Sequence, residues 1–350
     1  KPQVVIPVVF HVLYHESQEN IPDSRLHSQI EVLNEAFRRL SADTVNTPER
    51  FRALAADCEI EFQLAISDPR RRGTTGINRI YTPIKIWDID DKMKYASEMG
   101  ADAWRSDHFL NIWVVNLRRS LGYASFPGGD PALDGIVLNH SIVGKNGSSQ
   151  YGLGKVAVHE AGHWMGLKHI WGDDYCGDDG IADTPTQANF TNGCPTDIRR
   201  SCGNSSAGDM YMNYMDITTD ACTNLFTHGQ KNKMLSLFKN RGARAAMVNS
   251  TGLLRPLIEE APIEQPAPRW LHAQIYPNPV RSNLIIDLAY DPRWKGHTIS
   301  VVNMQGVRVM LLSVTSTIIT ADVSQLPAGV YFLHAVRTDG ERLQQKIIVR

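Results

Sequence analysis

An α/β domain with a mixed sheet, joined to a small all-β sandwich, is the fold class this sequence predicts. Three observations carry it. Between Val4 and Gly166 the apolar pattern switches between strand-like and helix-like periods. Between Leu254 and Pro268, prolines at 256, 262, 266 and 268 stand among acidic residues, the composition of an extended linker. From Ala273 onward, short strand patterns are separated by turn signals. The expected division is a domain over 1–254, a linker over 255–272 and a C-terminal module over 273–350.

Taken in order, Val4–Tyr14 is rich in β-branched residues and reads as a buried strand. Leu26, Ile30, Leu33, Phe37 and Leu40 recur at helical steps and form one apolar face, with Pro22, Asp23 and Ser24 as the start signal. Cys58–Ile66, Asp107–Leu117 and Asp134–Val143 read as further strands, and Tyr151–Gly166 as a helix. From Gly172 to Phe226 periodicity is lost, and a long irregular stretch in a compact domain is usually functional and needs staples. Thr227–Met247 returns to a helical pattern. The module then offers strands at Leu284–Leu288, Thr298–Asn303, Arg308–Leu312, Thr317–Ala321, Gly329–Arg337 and Leu343–Val349, a sandwich pattern.

Composition narrows the function. The 350 residues suit about two domains. With 36 basic and 37 acidic residues the net charge is −1, so no large field exists to grip nucleic acid or an anionic membrane. At 42% hydrophobic and 21% charged residues, disorder and collagen are excluded. No run reaches the ~20 apolar residues of a membrane span. A start at Lys1 without a signal-peptide pattern reads as a mature or trimmed chain. Four of the five cysteines fall between Cys176 and Cys222, with no Cys-x-x-Cys pair to make a zinc ribbon. They suggest disulfides and an oxidising compartment, and four cysteines allow three pairings. Cys58 shares its strand face with Ile60, Phe62 and Leu64 and reads as a buried, inert thiol.

The chemistry lies in His159-Glu160-Ala161-Gly162-His163. A spacing of four sets both imidazoles one turn apart on a helix face, where they can share a metal. Gly166 can end the helix in a left-handed turn that returns the chain, making His169 a third nitrogen ligand. Three histidines leave a tetrahedral zinc one open position for water, which Glu160 would deprotonate for attack on a carbonyl.

This pattern resembles the metzincin zinc endopeptidases, whose signature is H-E-x-x-H-x-x-G-x-x-H followed by a methionine turn, here Asn213-Tyr214-Met215-Asp216. With the cysteines and the loop Gly177-Asp178-Asp179-Gly180-Ile181-Ala182-Asp183-Thr184-Pro185, the stretch from Val4 to Phe238 resembles the pappalysin family, in its bacterial, ulilysin-like branch. The resemblance implies a metzincin-type α/β (α+β) domain with one catalytic zinc on His159, His163 and His169, Glu160 as base and acid, and Met215 as floor. It implies disulfides Cys176–Cys202 and Cys194–Cys222, and structural calcium at Asp179, Asp183 and Thr184, with Asp178 a weaker candidate. Gly135-Ile136-Val137-Leu138 resembles the upper-rim edge strand that pairs with an extended substrate. The family's tyrosine two residues after the methionine, thought to stabilise the oxyanion, is Ile217 here; Tyr211 and Tyr214 lie nearby in sequence. Asp216 and Asp220 favour a basic residue after the scissile bond.

Tyr276-Pro277-Asn278-Pro279, Asn283-Leu284-Ile285-Ile286, Val307-Arg308-Val309, Leu326-Pro327-Ala328-Gly329-Val330-Tyr331 and Lys346-Ile347-Ile348-Val349 resemble the immunoglobulin-like sorting domain of Bacteroidetes type IX secretion cargo. The expectation is therefore a secreted or surface zinc endopeptidase. It is monomeric, acts on protein or peptide substrates, engages the type IX machinery through its C-terminal domain, and has no nucleic-acid partner. The alternative is a zinc-containing peptide-binding or adhesion protein without turnover; Glu160 argues against it, because binding alone needs no base.

Overall fold

The computed structural model describes residues 1–147, 149–204, 206–259, 272–338 and 340–350. The chain divides into two compact units, Lys1–Gln265 and Pro266–Arg350. Positions 260–271, most of the expected linker, lie outside the described residues. No described helix is long and apolar enough to cross a membrane.

The first unit is built on β1 (Val4–Tyr14), a near-continuous apolar run of the kind a strand buried on both faces requires. Helix α1 (Asp23–Phe37) follows, then the single turn α2 (Glu49–Arg52). The sheet is completed by β2 (Ile60–Leu64), β3 (Ile77–Tyr81), β4 (Leu110–Val115), β5 (Gly122–Ala124) and β6 (Ile136–Asn139). Its order is β2-β1-β4-β6-β5. β2 pairs with Val4–Val8 and β3 with Phe10–Tyr14, both parallel to β1, so the two lie end to end along one side of it. β4 and β6 continue in parallel, and only β5 runs antiparallel. The sheet is therefore mixed, with its single antiparallel strand at the edge.

One sheet face packs against α1 and the later helices through Ile6, Val8, Phe10, Leu33, Phe37, Ile112 and Leu138. The other is covered by Trp87 and Met93 from connecting segments, which pack on Leu13, Trp113 and Val137 of the sheet. Cys58 is fully buried in the first core, and burial raises its thiol pKa. Leu40 departs from expectation. The helix stops at Phe37. Arg39 takes a left-handed φ of 51°, and Leu40 N–H bonds back to the Glu35 carbonyl at 2.7 Å. This close turns Leu40 out to 71% exposure. The pattern over Thr227–Met247 also splits. Only α4 (His228–Ser236) is α-helical: from Leu237 the backbone bonds tighten to three-residue spacing (Leu237 N–H to the Met234 carbonyl, Phe238 N–H to the Leu235 carbonyl), and Arg241 (φ 69°) then turns the chain before a 3₁₀ turn at Ala245–Asn249. Backbone bonding continues past residue 254: Leu257 N–H donates to the Arg71 carbonyl at 2.8 Å and Gly73 N–H to the Ile258 carbonyl at 2.7 Å.

The second unit has a four-stranded antiparallel sheet and a three-stranded one. Its strands are β7 (Gln274–Tyr276), β8 (Asn283–Asp287), β9 (Thr298–Asn303), β10 (Arg308–Ser313), β11 (Ile318–Asp322), β12 (Gly329–Val336) and β13 (Arg342–Val349). The orders are β10-β9-β12-β13 and β11-β8-β7, closed over a core of Trp294, Ile286, Val301, Leu333 and Ile347.

His11 is a polar side chain inside the first sheet. It stacks on Trp113 at 5.3 Å, and its Nε2 meets Asn111 Oδ1 at 3.0 Å. Burial lowers its pKa to about 4. An unfolded histidine titrates near 6.5, so between these values the unfolded chain binds more protons and stability falls as pH drops. In denaturant titrations, wild type should lose roughly 2–3 kcal/mol more than His11→Gln between pH 7.5 and 4.5. Equal losses would refute the account; the other histidines are common to both proteins.

Candidate metal centre

Helix α3 (Lys155–Trp164) carries the paired histidines. Its start is fixed by Lys155, whose Nζ bonds Asp43, the Asp220 carbonyl (2.7 Å) and the Thr223 carbonyl (2.5 Å). Its end is fixed by Gly166 (φ 79°): Gly166 N–H donates to the His163 carbonyl (2.8 Å) and Leu167 N–H to the Gly162 carbonyl (2.9 Å). The chain thus doubles back and brings His169 beside the helix.

The three imidazoles then meet. His159 Nε2 lies 3.0 Å from His163 Nε2, which lies 3.2 Å from His169 Nε2. Each Nδ1 has its own acceptor: the Tyr214 carbonyl for His159 (2.7 Å), the Leu167 carbonyl for His163 (2.8 Å) and the Asp173 carboxylate for His169. A carbonyl can only accept, so Nδ1 of His159 and His163 carries the proton, and the carboxylate selects the same tautomer in His169. All three Nε2 atoms are then bare acceptors, and their short separations are not hydrogen bonds. Nitrogens ~2.0–2.1 Å from a tetrahedral zinc stand ~3.3 Å apart, so the donor set fits that ion. Burial, then the neighbouring rings, lowers the pKa of His159 far below 6.5 and that of His163 to about 4, keeping both in the neutral, ligand form. Among the described residues, no other group of three His, Cys, Asp or Glu converges in this way.

Met215 is fully buried beneath the helix, and a Cβ on Gly162 would sit 2.3 Å from its Sδ, so any larger residue there would push Met215 out of this position. Its turn is held by Ile170 N–H on the Met215 carbonyl (3.1 Å) and Met215 N–H on Asn213 Oδ1 (2.9 Å). Asn213 pairs through its amide with Gln230, which caps α4 in a box with Thr227. Glu160 is 6% exposed, and burial raises its carboxyl pKa to about 8. It lines a cleft of about 500 Å³ with the three histidines, Gly122, Tyr123, Ala124, Asp216, Ile217 and Asp220.

Other sequence expectations meet the structure differently. Ile136, Val137 and Leu138 are fully buried, and β6 is paired on both sides, so Gly135–Leu138 is not the edge strand. The edge is β5, whose Gly122 lies against Glu160: a Cβ there would be 3.3 Å from Glu160 Cγ. Three residues are too few to show a strand period, which is why β6 reads as the rim in sequence. Asp179 is buried and accepts from Ile181 N–H (3.0 Å) and Thr184 Oγ1 (2.9 Å). Asp183 accepts from Thr227 Oγ1 (2.7 Å) and Gly229 N–H (2.8 Å), and so sits at the start of α4. Asp178 accepts from Gly180 N–H at 2.7 Å. Ile217 is 43% exposed and brings no hydrogen-bond donor to the cleft. Tyr214 is buried against Phe226, and Tyr211 packs at the margin of the core.

Disulfides Cys176–Cys202 and Cys194–Cys222 cross-link the irregular segment over sequence separations of 26 and 28. Loops of that size correspond to about 3–4 kcal/mol each in the chain-entropy treatment. Trp171 and Asp173, which sequence reasoning passed over, hold His169 from two sides; the Trp171 ring stacks on it at 4.4 Å and 4°.

Sheet, helix and convergent imidazoles define a zinc metalloendopeptidase. Residues 93–239 match the family described as pregnancy-associated plasma protein-A, and residues 274–350 match the secretion system C-terminal sorting domain. An extracellular metalloprotease of Sordaria macrospora is 30% identical over 256 residues, 69% of this chain and 77% of that protein. One from Arthroderma benhamiae is 30% identical over 240 residues, 66% and 76% of the two chains. Mature mirolysin of Tannerella forsythia, solved with a cleaved peptide, is 46% identical with a TM-score of 0.69, covering 71% of this chain and 96% of that one. The chain belongs to the pappalysin family of metzincin endopeptidases, and its C-terminal sorting domain marks it for type IX export to the cell surface or beyond.

Proposed function

We propose that His159, His163 and His169 hold the zinc of this secreted endopeptidase and that Glu160 is its general base. The observation that carries this is the convergence of three bare Nε2 atoms, each Nδ1 proton committed elsewhere. Zinc, when bound, supplies a Lewis acid that lowers the pKa of a water toward ~7 and polarises the scissile carbonyl. Glu160 takes a proton as water attacks and returns it to the leaving amine. Burial raises its carboxyl pKa to about 8, and a nearby cation draws such a group back down, into the range a base working near neutrality needs. Backbone groups of β5 hold the substrate extended as an added strand, with the scissile bond beside Glu160. Asp216 and Asp220, buried carboxylates on the cleft wall, favour a basic side chain after that bond. The enzyme acts as a monomer.

Glu160→Gln should keep one zinc per chain and lose at least ~10²–10⁴-fold in turnover on a denatured protein substrate, since Gln cannot take the proton. Wild-type turnover in that variant would end the mechanism.

Calcium at Asp178, Asp179, Asp183 and Thr184 is the second part of the proposal. In support, Asp179 is buried, its pKa is raised by that burial, and it has no ion-pair partner among the described residues. A calcium-selective chelator should lower the thermal midpoint and the activity together while zinc stays bound. Neither changing would remove calcium from the account.

The division of labour is the third part. Backbone bonds at Leu257 and Ile258 support a catalytic unit that extends past residue 254, and the module after 272 serves export. A chain ending at Glu259 should hydrolyse peptides at wild-type rate, and a cargo fused to 273–350 should leave a type IX-competent cell. Loss of activity in a folded truncation would make the module part of the catalytic apparatus.

A further inference from the structure

β5 is a weak wall for a cleft, because it is three residues long and pairs with β6 at only three positions. Its position is set instead by a buried arginine and the polar side chains it reaches around the loop that joins β5 to β6. Arg244 is 4% exposed, and its guanidinium stacks on the Trp164 ring at 3.5 Å. Nε and Nη2 donate to the Trp164 carbonyl (3.1 and 2.8 Å), at the end of α3. Nη1 and Nη2 also make a forked pair with Asp134 (2.8 and 3.0 Å). Asp134 Oδ1 accepts from Ser125 Oγ (2.7 Å), and Ser125 Oγ accepts from Gly135 N–H (2.8 Å). Ser125 is the residue directly after β5. A second buried cation supports the strand from below: Lys94 Nζ lies over the Tyr123 ring (5.2 Å) and donates to the Leu133 carbonyl (2.7 Å).

The path from Trp164 through Arg244, Asp134 and Ser125 to β5 therefore spans the two walls of the cleft. α3 carries the histidines and Glu160, and β5 carries the edge. We infer that Arg244 is a positioning residue that fixes the gap between the catalytic helix and the substrate-holding edge strand. Resting on the reading of β5 as that strand, it makes Arg244 act through Asp134 on substrate alignment and not on the metal. A misplacement of ~1 Å at such a gap can cost ~10²-fold, so the fork's rigidity and not just its charge is what matters.

Arg244→Lys keeps the charge and loses the fork; Asp134→Asn keeps one acceptor and loses the ion pair. Both should bind one zinc per chain. For a peptide long enough to run along β5, kcat/KM should fall about tenfold or more, chiefly through KM. For an acylated dipeptide too short to follow the strand, it should change less than twofold. Should either variant fold poorly, Arg244→Met combined with Asp134→Leu replaces the buried pair by apolar volume and restores the fold; it should show the same loss on the long peptide alone. Equal losses on both substrates, or none on either, would overturn the inference. If the zinc reading itself were wrong, wild type would lack stoichiometric zinc, an outcome independent of these ratios.

Discussion

Three imidazole lone pairs face one another about 3 Å apart, a costly arrangement for neutral rings unless a cation sits among them. The rest of the catalytic unit is organised to enforce it. Two rings are held by main-chain carbonyls, one from the methionine turn and one from the helix's own terminal turn. The third is held by a carboxylate and an indole. One anchor comes from the methionine turn and the others from Leu167–Asp173 just after the helix, so the position of the three rings depends on how these two segments pack.

The methionine turn shows how far that dependence reaches. Its depth is set by the absence of a side chain at Gly162, and its shape by the Asn213–Gln230 amide pair. Gln230 also closes the cap of α4, and the same helix start receives Asp183 from the irregular segment. Disulfides, turn and helix cap thus form one connected support beneath the histidines, which explains why a stretch without regular secondary structure stays in place.

The histidine triad was legible in the sequence because helical spacing and a terminating glycine are local facts, and local geometry brought His159, His163 and His169 together. The central strand was equally plain, since Val4–Tyr14 is apolar on both faces. The edge strand was not: Gly122–Ala124 has no period, and its place outside β6 follows from pairing partners distant in sequence. Leu40 misled because helical spacing says nothing about where a left-handed residue ends the helix. Arg244 gave no local signal at all; its role depends on Trp164 and Asp134, 80 and 110 residues away in the chain.

Cys58 imposes an order of events on the maturing chain. Its sulfur is sealed in the core beside β2, and burial suppresses its thiolate there, whereas before the sheet forms all five thiols are open to exchange. An odd thiol in an oxidising medium traps mispaired species. Assembly of β1 with β2 withdraws Cys58 from that competition and leaves four partners for two bonds. Correct oxidation is then a product of prior folding, and a chain oxidised while unfolded would have to be reduced or isomerised before it could become an enzyme.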